Sequence, residues 1–395
     1  MAGPAHTIRV ALTQFRWPID PALASTRDET TIARALFSTP LRTDAAGYVV
    51  AGLCSQWRAS DGFRTWRFRC AHALEIAGEL RRVTRLRTSP ASWIFSKAER
   101  IAVPAPGVLV VRLQFPWRRF PYALTTVAAA PRDVAGPFRL VRGSRNRVEL
   151  ARNGIRLVFR RLSGIAVLRA LGRGELDEAP VPLGDVGLFR TDPATLRVRS
   201  LLAIDLVSFR AGAVPQDVRR VYWQTADRSD YQALVAQGGA ALAFGLAGEA
   251  AKEDPAASRR ARKSIPSLPS LDVRIAVPHD STLEYGVRLL YAQWRDLGLG
   301  PRLVATGDRA EADFRRASAA YPQEEALLGS LGLATGLGDD DQHGAFERLD
   351  SDLRRSADVI PVCWVADARW VSPRLRGWSE DVLGDVDYTR VTIGS

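Results

Sequence analysis

Ile19-Asp20-Pro21, then Leu36 with Leu41, Gly52-Leu53 ahead of Trp57, Asp61-Gly62, and Phe68-Arg69 follow one another along the opening of the chain. No single segment is rare; their order and spacing carry the information. Ahead of them, Thr7 to Thr13 reads as a strand with Ile8, Val10 and Leu12 on one face. Beyond them, short apolar runs alternate with turn signals such as Asp61-Gly62 and Pro104-x-Pro106, which suits β-structure, with Thr65 to Arg69 and Val108 to Phe115 as strands.

The ordered series continues. Gly136-Pro137-Phe138-Arg139-Leu140-Val141 precedes Val148-Glu149-Leu150-Ala151-Arg152-Asn153, and Gly174-Glu175-Leu176-Asp177 forms a turn. Val218-Arg219-Arg220 leads to Ala226-Asp227-Arg228, Gln293-Trp294-Arg295-Asp296-Leu297-Gly298-Leu299 follows, and Ile360-Pro361-Val362 comes before Gly377-Trp378. In this order the segments resemble the extracytoplasmic solute-binding proteins of the oligopeptide- and nickel-binding type, known as family 5. The resemblance covers most of the 395 residues, with several connecting stretches shorter than is usual there.

Periodicity adds a reading of its own. Ile155 to Arg161 is a strand, and a helix runs from about Gly164 to Arg173. Gln216 to Ala236 has a helical pattern, and 249–270, rich in Ala, Ser, Pro and charge, reads as a linker with Arg259 to Lys263 solvated. Val273 to Pro278 is a strand, and Ser281 to Leu297 a helix whose apolar face carries Leu283, Val287, Leu290 and Trp294. A further strand at Pro301 to Ala305 completes a parallel βαβ unit, so the protein is mixed α/β.

Composition bounds the function without selecting it. A chain of 395 residues is expected to form two or three lobes. The net charge of +12 is almost all arginine, since Lys97, Lys252 and Lys263 are the only lysines, and it is spread along the chain, so no nucleic-acid partner is expected. Gly-x-Ser-x-Gly, the phosphate loop and His-Glu-x-x-His are all missing, so no catalytic residue, cofactor or enzymatic role is expected. His6, His72, His279 and His343 show no metal spacing. Asp339 to Asp350 fits the calcium-loop template only in part, with His343 and Asp350 at odds with it, and reads as a solvated acidic loop.

Export signals conflict with the resemblance. Met1 to Val10 has neither the basic start nor the run of roughly 7 to 15 apolar residues of a signal peptide, and nothing approaches the roughly 18 apolar residues of a membrane span. The chain as written is expected to be soluble, and extracytoplasmic by resemblance, with retention in the cytoplasm as the alternative. Cys54 and Cys70 admit two readings, a disulfide in an oxidising compartment or two buried small apolar side chains; the second is preferred, and Cys363 has no evident partner.

The resemblance implies a two-lobe clamshell of the periplasmic-binding-protein type (type II, cluster C) with an extra sub-domain. Lobe I would comprise residues 1–37, the sub-domain 38–130, lobe I again 131–205, lobe II 206–358, and a return to lobe I 359–395. Ile204, Asp205, Val359 and Ile360 would be the hinge. Gln14, Phe15, Trp17, Tyr321 and Trp364 are the expected ligand contacts, with Trp93 and Trp223 also placed near the cleft, because indole rings give large rigid contact area. Peptide-binding members often carry Trp-x-x-Asp-Tyr-Pro-Asp-Pro; here Ala317 and Ala320 stand at its Trp and Asp positions, so that site cannot pair with a ligand amine. The implied role is the solute-binding component of an ABC importer, a monomer that captures short peptides or a related solute and docks on membrane permease subunits. A cytoplasmic ligand sensor and a degenerate, non-transporting relative are the alternatives.

Overall fold

The computed structural model describes residues 6–44, 46–182, 185–189, 195–235, 240–246, 255–267, 272–277, 281–306, 308–331 and 342–394. Asp339 to Asp341, His279 and the first residues of the expected linker lie outside them.

In chain order, lobe I opens with β1 (His6–Leu12) and α1 (Arg27–Leu36). The sub-domain follows with β2 (Leu41–Thr43), β3 (Val49–Ala51), β4 (Cys54–Ser60), β5 (Thr65–Cys70), α2 (Ala73–Arg85), α3 (Ser92–Phe95), β6 (Ala98–Ala105), β7 (Val108–Leu113) and α4 (Phe120–Ala123). The chain returns through β8 (Arg139–Gly143), β9 (Arg147–Arg152), β10 (Ile155–Arg161), α5 (Ile165–Gly172), β11 (Glu178–Pro180) and α6 (Val186–Phe189), and crosses on β12 (Leu196–Phe209). Lobe II contains α7 (Gln216–Thr225), α8 (Arg228–Leu234), α9 (Pro255–Ser264), β13 (Asp272–Val277), α10 (Ser281–Asp296), β14 (Gly300–Ala305), β15 (Ala312–Ser318), α11 (Ala326–Ser330) and α12 (Gln342–Ser356). The last crossing is β16 (Val359–Val371), followed by β17 (Leu375–Arg376) and β18 (Thr392–Ile393).

Among the described residues one ten-stranded sheet joins the lobes, in the order β14-β13-β15-β12-β16-β11-β1-β10-β9-β8. β1 pairs in parallel with β10, and Ile8, Val10 and Leu12 are fully buried with Leu157 and Phe159 in the lobe I core, as alternation predicts. β13 and β14 are parallel and bridged by α10, whose Val287, Leu290 and Trp294 are fully buried. The expected βαβ unit is present.

The long crossing strands β12 and β16 run antiparallel and are continuous in residue number, yet their register breaks. Ser200 faces Ala366 and Ile204 faces Trp364, so Leu201, Leu202 and Ala203 stand against Val365 alone, a surplus of two on β12; then Asp205 faces Cys363 and Leu206 faces Pro361, which leaves Val362 surplus on β16. The main chain of Leu202 is not idle: its N–H donates to Val382 in the return segment at 2.7 Å, and its carbonyl accepts from Ala319 of lobe II at 3.0 Å. The two irregularities thus flank Ile204 and Asp205. Val359 and Ile360 lie inside the lobe II ladder, paired with Ser208 and Val207.

Three sequence readings are corrected. The helix expected over 216–236 is two, because Ala226 is extended and the Asp227 side chain accepts from Asp230 N, starting a new helix. The expected linker contains α9, which turns Ala261 into the lobe II core beside Val218 and Val221; one buried alanine among exposed arginines gave too weak an apolar stripe to read. Cys54 and Cys70 stand opposite one another on β4 and β5 and are joined in a disulfide, not present as two separate buried thiols, because the strand register brings their side chains together. Cys363 is free and buried, and burial with Asp205 nearby pushes its thiol up to about 12, out of reach of ordinary thiolate chemistry.

Candidate functional site

The opening series of motifs builds a braced floor for lobe I. After β1 the chain turns under α1, whose first two acids are spent on that turn. Asp28 accepts from Thr13 N, Thr13 Oγ and Gln14 N at 2.7, 2.8 and 2.9 Å. Glu29 closes a capping box with Thr26 and takes Arg16 Nε at 2.6 Å and Ser25 N at 3.1 Å. Burial works against the Glu29 charge, but these donors win and hold its carboxyl at about 2. Asp20 caps the short turn at Ala22 and receives both guanidinium nitrogens of Arg82 at 3.0 and 2.6 Å, fastening the Ile-Asp-Pro turn to the sub-domain.

The Gly-Pro-Phe motif has an equally local cause. Gly136 N donates to Leu36 O and Phe138 N to Ala35 O, and a Cβ at position 136 would overlap the backbone of Leu36 and Phe37. Only glycine permits that approach.

Of the expected ligand contacts, Gln14 is exposed at the lobe I turn, and Phe15 is buried in the lobe I core. Trp17 packs on the edge strand β8, where a Cβ on Gly143 would overlap its indole. Tyr321 and Trp364 meet elsewhere, where lobe II touches the sub-domain. Trp364 lies at the register break and packs against both the sub-domain core and a small lobe II core. Tyr321 is fully buried, with its ring centroid 6.3 Å from Trp93 and 6.4 Å from Trp117. Phe115 lies 6.2 Å from Trp117 and completes the cluster. The structure therefore gathers Tyr321, Trp364 and Trp93, and leaves Gln14, Phe15 and Trp17 together in lobe I. Trp223 is inside lobe II, under the Arg228 guanidinium at 4.6 Å.

Sequence reasoning missed the polar half of this seam. Arg119, from the turn that starts α4, donates to Gln323 Oε1 at 2.7 Å and to Glu325 Oε2 at 3.1 Å. Tyr321 Oη and Glu325 Oε1 are buried with no hydrogen-bond partner among the described residues. Burial raises the Glu325 carboxyl above the ordinary range although Arg119 opposes it, and burial followed by the nearby Glu325 raises the Tyr321 phenol. Phe115-Pro116-Trp117, one residue past the end of β7, was the available signal: an aromatic pair just beyond a strand end has to pack against something outside the sheet.

Below the seam, Asp205 holds the crossing. It is buried and accepts from Arg316 at 2.8 and 3.1 Å and from Tyr231 Oη at 3.0 Å, tying β12 to β15 and α8. A separate cavity of about 350 Å³ opens within lobe I and the sub-domain, lined by residues that include Arg34, Arg42, Asp385 and Tyr388. No group of three His, Cys, Asp or Glu side chains among the described residues is placed to hold a metal ion.

Two lobes on one sheet, a pair of crossing strands and an aromatic seam between lobe II and the sub-domain define a clamshell binding-protein fold. No protein-family model matches the chain and no curated protein matches it. Solved structures do. The murein tripeptide binding protein MppA of Escherichia coli is 15% identical with a TM-score of 0.83, and the match covers 98% of both chains. OppA of Haemophilus influenzae, solved in complex with the peptide RPPGFSPFR, is 13% identical over 100% of both chains, with a TM-score of 0.82. Against the unliganded open form of MppA the TM-score is 0.73, over 98% of this chain and 97% of that one, at 15% identity. The chain has the fold that the sequence resemblance implied.

Proposed function

We propose that this protein is the solute-binding component of an ABC importer, capturing short peptides or a related amphipathic solute between its lobes and presenting the closed form to membrane permease subunits. The reading rests on the match of the whole chain to clamshells named as peptide-binding proteins. Two features support it. The seam sets a rigid aromatic set beside two buried polar atoms with no partner among the described residues, Tyr321 Oη and Glu325 Oε1, which suits a solute with apolar bulk and a polar head. The Cys54–Cys70 disulfide suits an oxidising space outside the cytoplasmic membrane. Among the described residues no helix is long and apolar enough to cross a membrane.

Gln14, Trp17, Tyr321 and Trp364 are the proposed solute contacts, with Phe15 supporting the first two from within the core. The surplus residues before Ile204 and Asp205 are the proposed hinge on β12; Val359 and Ile360 would move with lobe II.

One observation favours a second reading, a relative that holds itself closed and transports nothing: Tyr321 is already fully buried against Trp93 and Trp117. A thermal-shift screen against di- to pentapeptides, nickel chelates and oligosaccharides separates the two, since a solute that binds only the folded state raises apparent stability. The importer reading expects a shift with one class that Trp364→Ala abolishes. No shift with any class overturns it in favour of the second.

A further inference from the structure

The lobe I edge carries a feature that solute capture does not use. Residues 139–175 hold ten arginines against two acids, Glu149 and Glu175. Register decides where they point. Arg139 pairs with Ala151 and Ala151 with Arg156; Arg142 pairs with Glu149; Arg147 pairs with Arg160. Cross-strand partners share a face, so Arg139, Arg142, Arg147, Arg156 and Arg160 emerge together on one side of β8, β9 and β10. The opposite side bears Val148, Leu150, Leu157 and Phe159 and is the lobe I core.

Only part of this positive charge is answered. Arg147 and Arg156 share Glu149 at 2.7 and 3.8 Å, and Arg160 and Arg173 share Glu175 at 3.1 and 2.7 Å. Arg139, Arg142 and Arg145 are exposed and make no ion pair among the described residues. The second component is aliphatic. α5 packs on the arginine face through Ala11, Val167 and Ala170, and its outer side leaves Ile165 64% and Leu168 38% exposed beside Arg169 and Arg173. Val141, in the register shift of β8, is 49% exposed.

We propose that this face of lobe I docks on an anionic phospholipid surface. Arginines on a sheet face neutralise headgroup charge, and Ile165 and Leu168 enter the headgroup boundary beside them. A nucleic acid or another linear polyanion would use the arginines but gain little from two exposed aliphatic side chains, since such partners reward aromatic stacking. This inference is independent of which solute the cleft takes.

The test is flotation of the full chain with phosphatidylglycerol–phosphatidylcholine vesicles against pure phosphatidylcholine, with heparin binding measured in parallel. Arg139→Glu/Arg142→Glu/Arg145→Glu removes the unpaired charges and breaks no ion pair among the described residues. The expected loss on anionic vesicles is about 100-fold, each arginine near such a surface contributing roughly fivefold. Ile165→Ser/Leu168→Ser is expected to weaken vesicle binding about tenfold and leave heparin binding alone. The control reverses three exposed charges of lobe II, Arg259→Glu/Arg262→Glu/Lys263→Glu, and is expected to change little. No binding to anionic vesicles overturns the proposal; so does an equal loss in the control, which reports net charge alone, and so does vesicle binding indifferent to the Ile165 and Leu168 changes, which reports a general polyanion site.

Discussion

Arg119 of the sub-domain and Glu325 of lobe II form an ion pair at 3.1 Å, with Gln323 sharing the same guanidinium nitrogen at 2.7 Å. Those bonds span parts of the chain about two hundred residues apart and close the polar side of a seam whose other side is Tyr321 on Trp93 and Trp117. Arg119→Ala leaves the Glu325 carboxylate buried and alone, at a cost of about 2 kcal/mol to the lobe contact. The expected result is a larger radius of gyration for the solute-free protein by small-angle scattering, with thermal stability of the isolated lobe cores little changed. An unchanged radius would mean that the aromatic contacts hold the lobes unaided.

The disulfide cross-links two neighbouring strands of the sub-domain sheet, at a sequence separation of 16. Loop-closure entropy for that length gives about 3 kcal/mol. Reduction, or Cys54→Ser/Cys70→Ser, is expected to lower the melting temperature of the sub-domain before that of the lobes, seen as an early phase in calorimetry with dithiothreitol and a single later transition without it.

Trp17 rests on Gly143 so closely that no Cβ fits there. Gly143→Val is expected to displace the indole and cost roughly 2 kcal/mol as overpacking. Denaturant midpoints measure the cost, and a red shift of tryptophan emission reports the displaced ring.

Glu29 makes acid stability a local matter. Its carboxyl titrates near 4.5 when unfolded and about 2 when folded, so its contribution is complete above pH 4.5 and disappears as pH falls toward 2. Glu29→Gln cannot take part in that loss. The variant is expected to be less stable than the parent at pH 7 and to converge with it by pH 2 to 3, measured by urea midpoints across that range.

What was legible in the sequence had a local cause. β1, β10 and α10 could be read because alternation or a three-and-four spacing follows directly from which side is buried, and the ordered motifs could be read because each fixes its own turn. Gly136 meets α1, and Asp20 caps Ala22. What failed was decided at a distance. α9 is a helix because α7 covers one alanine of it, and Cys54 and Cys70 bond because β4 and β5 pair in one register rather than the next. The seam depends on Arg119 and Glu325, two ordinary surface residue types whose meaning appears only once lobe II folds back onto the sub-domain. Trp364 and Tyr321 were legible as aromatics near the end of a lobe; that they share a cluster, and that Trp17 belongs to another, was not.

The register breaks on both crossing strands, with two surplus residues on β12 and one, Val362, on β16. The slack on β12 is stitched to both sides by one donated and one accepted main-chain bond at Leu202. A rotation of the lobes at this crossing would stretch the first stitch on parting from the return segment and the second on parting from lobe II. The amide protons of Leu202 and Ala319 then serve as native indicators of lobe position: exchange at the first registers parting from the return segment, and exchange at the second registers parting from lobe II, with no probe added to the chain.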